Sequence, residues 1–164
     1  MILLIDTTSS KIRLVFGDAV SARASERQSV ELPKMVGELL AGKARPTAIG
    51  VITGPGSFTG IRLGIAYAKG LAMGFCVPVV GINIFELVNA AEGEILAIDS
   101  CRGDWFVCEN GNHRIEKTLP ARAKIIADYD LMNGVKIAER KLKAAENGDL
   151  PPVIPLYIRP SYVG

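Results

Sequence analysis

Apolar positions along this chain change their spacing in a way that marks out its elements. Residues 2–5 are a continuous apolar run, and residues 11–16 follow after the polar turn Asp6-Thr7-Thr8-Ser9-Ser10. Both read as strands, with a third expected over 20–26. Leu32, Met35, Val36, Leu39 and Leu40 then keep a helical period, and Gly42 is placed to end that helix. A strand is expected at 48–53, a helix at 59–75, a strand at 77–82 and a short helix at 84–91. Four further strands read at 95–99, 105–109, 113–117 and 124–127. A helix over 134–146 follows, and the proline-rich tail 151–160 should be extended. No internal repeat or low-complexity stretch interrupts this α/β pattern.

The densest local signal is residues 49–74, where a β-branched run meets a Gly-Pro-Gly turn and then a long, largely apolar helix. Strand, glycine turn and helix is the arrangement that cradles phosphate. Gly54, Gly56 and Gly60 give GxGxxxG, one residue longer than the dinucleotide fingerprint, and no Gly-Lys-Ser/Thr completes a P-loop. Pro55 removes an amide donor where a phosphate oxygen would need one. No charge lies between Gly54 and Ile61. The turn therefore reads as a structural entry to a helix capped by Ser57 or Thr59.

Wound as a helix, residues 59–75 put Gly60, Gly64 and Ala68 on one face, with Leu71 and Phe75 beside them. Arg62 and Lys69 lie opposite. Each interior glycine costs about 1 kcal/mol of helix stability relative to alanine, so close approach of another backbone must offset it. Two coverings would do so: the protein's own sheet, or the helix of a partner. The partner is the reading adopted here, with Leu32, Met35, Val36, Leu39, Gly60, Gly64, Tyr67, Ala68 and Leu71 as its contact residues.

The string Ile52-Thr53-Gly54-Pro55-Gly56-Ser57-Phe58-Thr59-Gly60-Ile61-Arg62 resembles the signature of the bacterial TsaB (YeaZ) family, related to the glycoprotease-like and TsaD proteins. Residues 2–16 (ILLIDTTSSKIRLVF), 95–107 (ILAIDSCRGDWFV) and 154–160 (IPLYIRP) resemble that family in the same order. The resemblance implies the actin-like ATPase fold (ASKHA, ribonuclease H-like), with an N-terminal lobe over 1–93 and a shortened C-terminal lobe over 94–164. It implies a non-catalytic subunit of the machinery that forms threonylcarbamoyladenosine in tRNA. The implied partners are a TsaD-type subunit and a TsaE-type ATPase, with a homodimer in isolation, tRNA met only through the complex, and no cofactor. The family often shows His-Ser-Glu at the start of its first long helix; here that stretch reads Gln28-Ser29-Val30-Glu31.

Composition narrows the field further. Of 164 residues, 49% are hydrophobic and 22% charged, which favours a packed core over disorder. A net charge of +2 is too small to imply nucleic-acid binding by itself. Arg62, Lys69 and Pro78 break the longest apolar region, so no membrane span is expected. No basic leader precedes Asp6, so no secretory signal is expected. Cys76, Cys101 and Cys108 form no CxxC and read as reduced thiols of a cytoplasmic protein.

The remaining candidate chemistry is thin. Asp6, Thr7, Thr8 and Ser9 occupy the place of the fold's first phosphate loop, where a carboxylate and hydroxyls face Mg-ATP; alone they are half a site. An ATP-binding transferase built on that loop and the glycine turn is the alternative function. One histidine, His113, cannot supply a metal centre, and no metal is assigned. Ser57 lacks the G-x-S-x-G context, and a cysteine protease would need His113 beside Cys101 or Cys108; no catalytic residue is assigned. Asp99 and Arg102, in a charged turn, are candidate cleft contacts, with Arg102 otherwise pairing a carboxylate and Trp105 packing in the core. Lys136, Arg140 and Lys143 make a basic stripe on the last helix that reads as a solvated face or as a weak contact to tRNA phosphate.

Overall fold

Side-chain alternation along the first strand sets the layering of the molecule. The computed structural model describes residues 1–88, 90–145 and 149–158. Strand β1 (Ile2–Asp6) is buried at every position, which requires cover on both faces. Leu3 and Ile5 point into one core and Ile2 and Leu4 into another. β2 (Lys11–Phe16) and β3 (Ala19–Ala24) add antiparallel strands on one side; β4 (Ala48–Ile52) and β5 (Val79–Ile82) add parallel strands on the other. The sheet order is β3-β2-β1-β4-β5.

Helices α1 (Gln28–Leu40) and α2 (Phe58–Phe75) cover one face of this sheet, and α3 (Leu131–Ala145) covers the other. A second sheet, ordered β8-β7-β6-β9, is formed by β6 (Ile95–Asp99), β7 (Trp105–Glu109), β8 (Asn112–Glu116) and β9 (Lys124–Ile125). Its inner face, with Leu96, Phe106 and Cys108, joins the core beneath α3. Residues from both sheets therefore share one core. Leu4 is its wedge: a Cβ on Gly50 or on Gly134 would come within 2.6 Å of a Leu4 methyl. Glycine at both sites lets Leu4 enter from β1 and α3 lie close on the sheet.

Most elements fall where the hydrophobic pattern puts them, and the differences are at ends. The short helix after β5 is a single 3-10 turn, Ile84–Leu87, closed by a capping box between Asn83 and Glu86. α3 starts at Leu131, three residues before Gly134, because Asp130 accepts the Met132 amide at 2.9 Å. β9 has two residues because only Leu96 and Ala97 pair with it. Asn89, the expected helix end at Glu146 and the last residues of the tail, Arg159 and Pro160, lie outside the described residues.

One expectation is overturned here. The Gly60-Gly64-Ala68 stripe faces the protein's own sheet. A Cβ on Gly60 would overlap the Thr7 carbonyl oxygen, and one on Gly64 the Thr7 hydroxyl. Thr7 Oγ1 donates to the Gly60 carbonyl at 2.7 Å, fixing the approach. Leu32, Met35, Val36 and Leu39 are likewise buried in the same core. None of these seven residues is free to touch a partner. The own-sheet covering accounts for the glycines, because α2 crosses the end of β1 almost in backbone contact.

Gly64→Val should therefore displace Thr7, break its bond to Gly60 and lower unfolding stability by about 2 kcal/mol or more. Urea unfolding followed by circular dichroism reads this directly; an unmoved midpoint would contradict the packing account.

Candidate functional site

Five segments enclose a cleft of about 850 Å3: the turn after β1, the glycine turn before α2, the turn after β6, residues 126–129, and residues 156–158. Its floor is apolar, including Ile61, Ile84, Ile98 and Phe106, and its lips are polar. Residues 149–158 reach it by returning along the first sheet, with Val153 against Gly81 and the Leu156 amide donating to the Thr53 carbonyl at 2.8 Å. Tyr157 stacks on Phe58 at 4.9 Å, and Arg62 lies over the Phe58 ring at 4.6 Å.

Behind the cleft wall lies Asp6, fully buried at the end of β1. Its Oδ1 accepts the Thr8 amide at 2.9 Å and the Thr8 hydroxyl at 2.8 Å. Its Oδ2 accepts Arg13 Nε at 2.9 Å, a second Arg13 nitrogen at 2.7 Å and the Tyr129 hydroxyl at 2.9 Å. Arg13 also lies over the Tyr129 ring at 4.0 Å and reaches Asp128 at 3.1 Å. Burial opposes the Arg13 charge most strongly of any single cause, but Asp6, Tyr129 and Asp128 together outweigh it and hold the guanidinium above its ordinary pKa. Burial, then the Asp6 charge, push the Tyr129 phenol up as well. The group is thus a buried carboxylate paired with a guanidinium that also reaches Asp128, with the phenol hydrogen-bonded beside it. Thr7 and Ser9 are engaged too: Thr7 by α2, Ser9 by Lys11 and through its carbonyl by Gln28.

The glycine turn is equally occupied. The Ser57 amide donates to the Thr8 carbonyl at 2.6 Å, and Ser57 Oγ caps α2 by accepting the Gly60 amide at 3.2 Å. Of the two candidate caps, Ser57 is the one used. A Cβ on Gly56 would overlap the Thr8 carbonyl. The turn after β1 and the glycine turn before α2, on which an ATP-binding reading would rest, are here packed against each other. The residues present do not fit a magnesium nucleotide.

Asp99 and Arg102 both line the cleft from the turn after β6. Asp99 accepts the Cys101 amide at 2.8 Å. Arg102 makes no ion pair among the described residues, and Trp105 is half-buried on the outer side of β7, opposite Glu116. No histidine lines the cleft; His113 sits on β8, 5.5 Å from the Phe85 ring. It lies directly across from Cys108 in the β7–β8 ladder. Burial pushes the Cys108 thiol up and the His113 imidazole down, the reverse of a thiolate–imidazolium pair. Among the described residues no group of three or more His, Cys, Asp or Glu could hold a metal ion.

Of the contact residues expected on the helices, Tyr67 and Leu71 stay half-buried on the flank of α2. Beside them an outward face of α2 is exposed at Thr59, Ala66, Gly70, Met73 and Gly74, and α1 exposes Val30, Pro33 and Gly37. The sequence reading missed Arg13, Asp128 and Tyr129. Arg13 was within reach, since folding the first hairpin around its polar turn sets Asp6 opposite Arg13; Tyr129, over 120 positions away, carries no such signal.

Comparison with known proteins agrees with this architecture. Residues 4–155 match the family described as "TsaD: tRNA N6-adenosine threonylcarbamoyltransferase". Over 63 residues the chain is 38% identical to the tRNA threonylcarbamoyladenosine biosynthesis protein TsaB of Escherichia coli (strain K12), covering 34% of this chain and 27% of that one. Over 93 residues it is 34% identical to the protein of the same name from Haemophilus influenzae, covering 49% and 39%. The matched parts thus span less than half of these relatives' lengths. In three dimensions the chain superposes on YeaZ from Pseudomonas aeruginosa with a TM-score of 0.64 at 19% identity, over 95% of this chain and 98% of the other. Its fold is the actin-like (ASKHA) fold, and the chain belongs to the TsaD family, with stretches similar to proteins named TsaB.

Proposed function

We propose that this chain is a non-catalytic subunit in the formation of threonylcarbamoyladenosine in tRNA, acting by docking a TsaD-type subunit through the outward faces of α1 and α2. The observation that carries this reading is a second class of helical glycine. Gly37 in α1 and Gly70 and Gly74 in α2 are exposed, and a Cβ on any of them would meet nothing within 4 Å. Each costs about 1 kcal/mol of helix stability with no packing return inside the chain. Around them lie Ala66 and Met73, exposed, and Leu63, Tyr67 and Leu71, half-buried. Burial accounts for the raised pKa of the Tyr67 phenol.

Small residues at the centre of a helix face let a second helix approach closely, while the apolar residues at its margin supply buried area. A homologous helix pair from a TsaD-type subunit is the occupant the family membership supports. In isolation the same face would pair two copies of this chain. The proposed contact set keeps Tyr67 and Leu71 and replaces the seven buried residues by Val30, Gly37, Leu63, Ala66, Gly70 and Gly74. The lobes at 1–93 and 94–164, bound through their shared core, would move as one body against the partner, in the cytoplasm where tRNA is modified. A TsaE-type ATPase would be a further member of the assembly. The ATP-binding alternative is disfavoured by the engaged loops behind the cleft.

Gly70→Arg should prevent assembly with the TsaD-type subunit while leaving the melting temperature within about 2 °C, since its side chain enters open space. Multi-angle light scattering of the mixed subunits gives the mass; a complex of unchanged mass would remove this interface. A further expectation concerns RNA. Lys136, Arg140 and Lys143 are exposed on α3, and three such cations give only weak, salt-sensitive attraction to phosphate. The chain alone should not retain tRNA on a filter at about 0.15 M salt; retention there, lost on reversing these three charges, would instead make this chain an RNA-binding module.

A further inference from the structure

A buried carboxylate behind the wall of a cleft raises the question of what neutralises it. In the fold's ATPases this position faces a metal-bound nucleotide. Here Asp6 accepts two hydrogen bonds on Oδ1 and three on Oδ2, all from its own chain. A carboxylate offers roughly four lone-pair sites, so none is left for a metal. The charge is balanced by Arg13, whose guanidinium is held in place by the Tyr129 ring, Asp128 and the Tyr129 carbonyl.

We propose that Arg13 is a built-in counter-cation: it stands between Asp6 and the cleft where a divalent cation would otherwise neutralise the carboxylate, and so makes the bridge between the two halves of the molecule independent of any metal. Three features support this assignment. Arg13 lines the cleft whereas Asp6 does not, so the guanidinium is the outermost layer of the cluster. The guanidinium binds Asp6 on β2's neighbour strand and Asp128 in the segment leading to α3, linking segments that otherwise flank the cleft. The groups that would remain if the guanidinium were removed, the carboxylate of Asp6 and the hydroxyl of Thr8, are also oxygen ligands of the kind a hard cation takes. This inference concerns the cleft alone and does not rest on the docking of α1 and α2.

The test is thermal unfolding of the full chain by circular dichroism, in EDTA and in millimolar Mg2+ at matched ionic strength. The wild-type midpoint should be the same in both. Arg13→Ala opens the space between Asp6 and the cleft; its midpoint should fall in EDTA and recover by roughly 2–4 °C in Mg2+. Arg13→Ala combined with Asp6→Asn should lose the recovery, because the charged ligand is gone. Arg13→Lys keeps a cation in place and should show no response. Should Arg13→Ala fail to fold in EDTA, refolding yield with and without Mg2+ is the readout, and a higher yield in Mg2+ is expected. The proposal is overturned by a variant indifferent to Mg2+ in midpoint and yield, by equal recovery in the Asp6→Asn background, or by a wild-type chain that responds as strongly as the variant.

Discussion

The approach of α2 to the end of β1 is the contact on which the remaining architecture depends. With glycine at positions 60 and 64, the helix backbone lies directly on Thr7, whose hydroxyl bonds the Gly60 carbonyl. A helix set that close brings its preceding turn onto the next residue, so the Ser57 amide meets the Thr8 carbonyl and Gly56 has no room for a side chain. Two loops that could frame a phosphate instead close on each other. The same contact decides which face of α2 is left outside. With Gly60, Gly64 and Ala68 turned to the sheet, the helical period puts Ala66, Gly70 and Met73 outward.

Electrostatics reinforce that arrangement. An ionised carboxylate held out of water is tolerated only when paired and hydrogen-bonded, and removing one partner of such a pair is far more disruptive than the pair is stabilising. Asp6 meets that condition entirely within the chain. Its partners come from the adjacent strand and from the residues just before α3, which couples the first hairpin to the helix on the opposite face of the sheet. The shared core around Leu4 couples the same elements through packing. Polar and apolar contacts thus tie together the same elements beside the cleft.

What could be read from the amino-acid order follows from where the physics is local. Period and turn chemistry placed most strands and helices, because alternation and caps act within a few residues: Ser57 capping α2 and Gly42 following α1 are examples. End positions were harder where a single side chain decided them, as Asp130 does for α3. Direction was harder still. A stripe of small residues says that something comes close, but Gly60 and Gly70 look alike until the sheet is in place to show which one it touches. The Asp6 cluster was half legible, since Arg13 is fixed by hairpin register whereas Tyr129 arrives through tertiary packing of a distant segment.

The two classes of glycine therefore need different explanations. At Gly60 and Gly64 the missing side chain is compensated inside the chain, by a hydrogen bond and by close backbone contact with the sheet. At Gly37, Gly70 and Gly74 nothing in the chain compensates it. Solvation alone gives no reason for glycine on an exposed helix face, where alanine would stabilise the helix and fit equally well. Leu63, Tyr67 and Leu71, half-buried beside these positions, are apolar where a solvated helix face would ordinarily be charged. Helix stability has been given up at Gly37 on α1 and at Gly70 and Gly74 on α2, the latter two beside the apolar flank of that helix. A closely approaching helix would make use of both features at once, which is why the outward face rather than the buried stripe is the place to look for the partner.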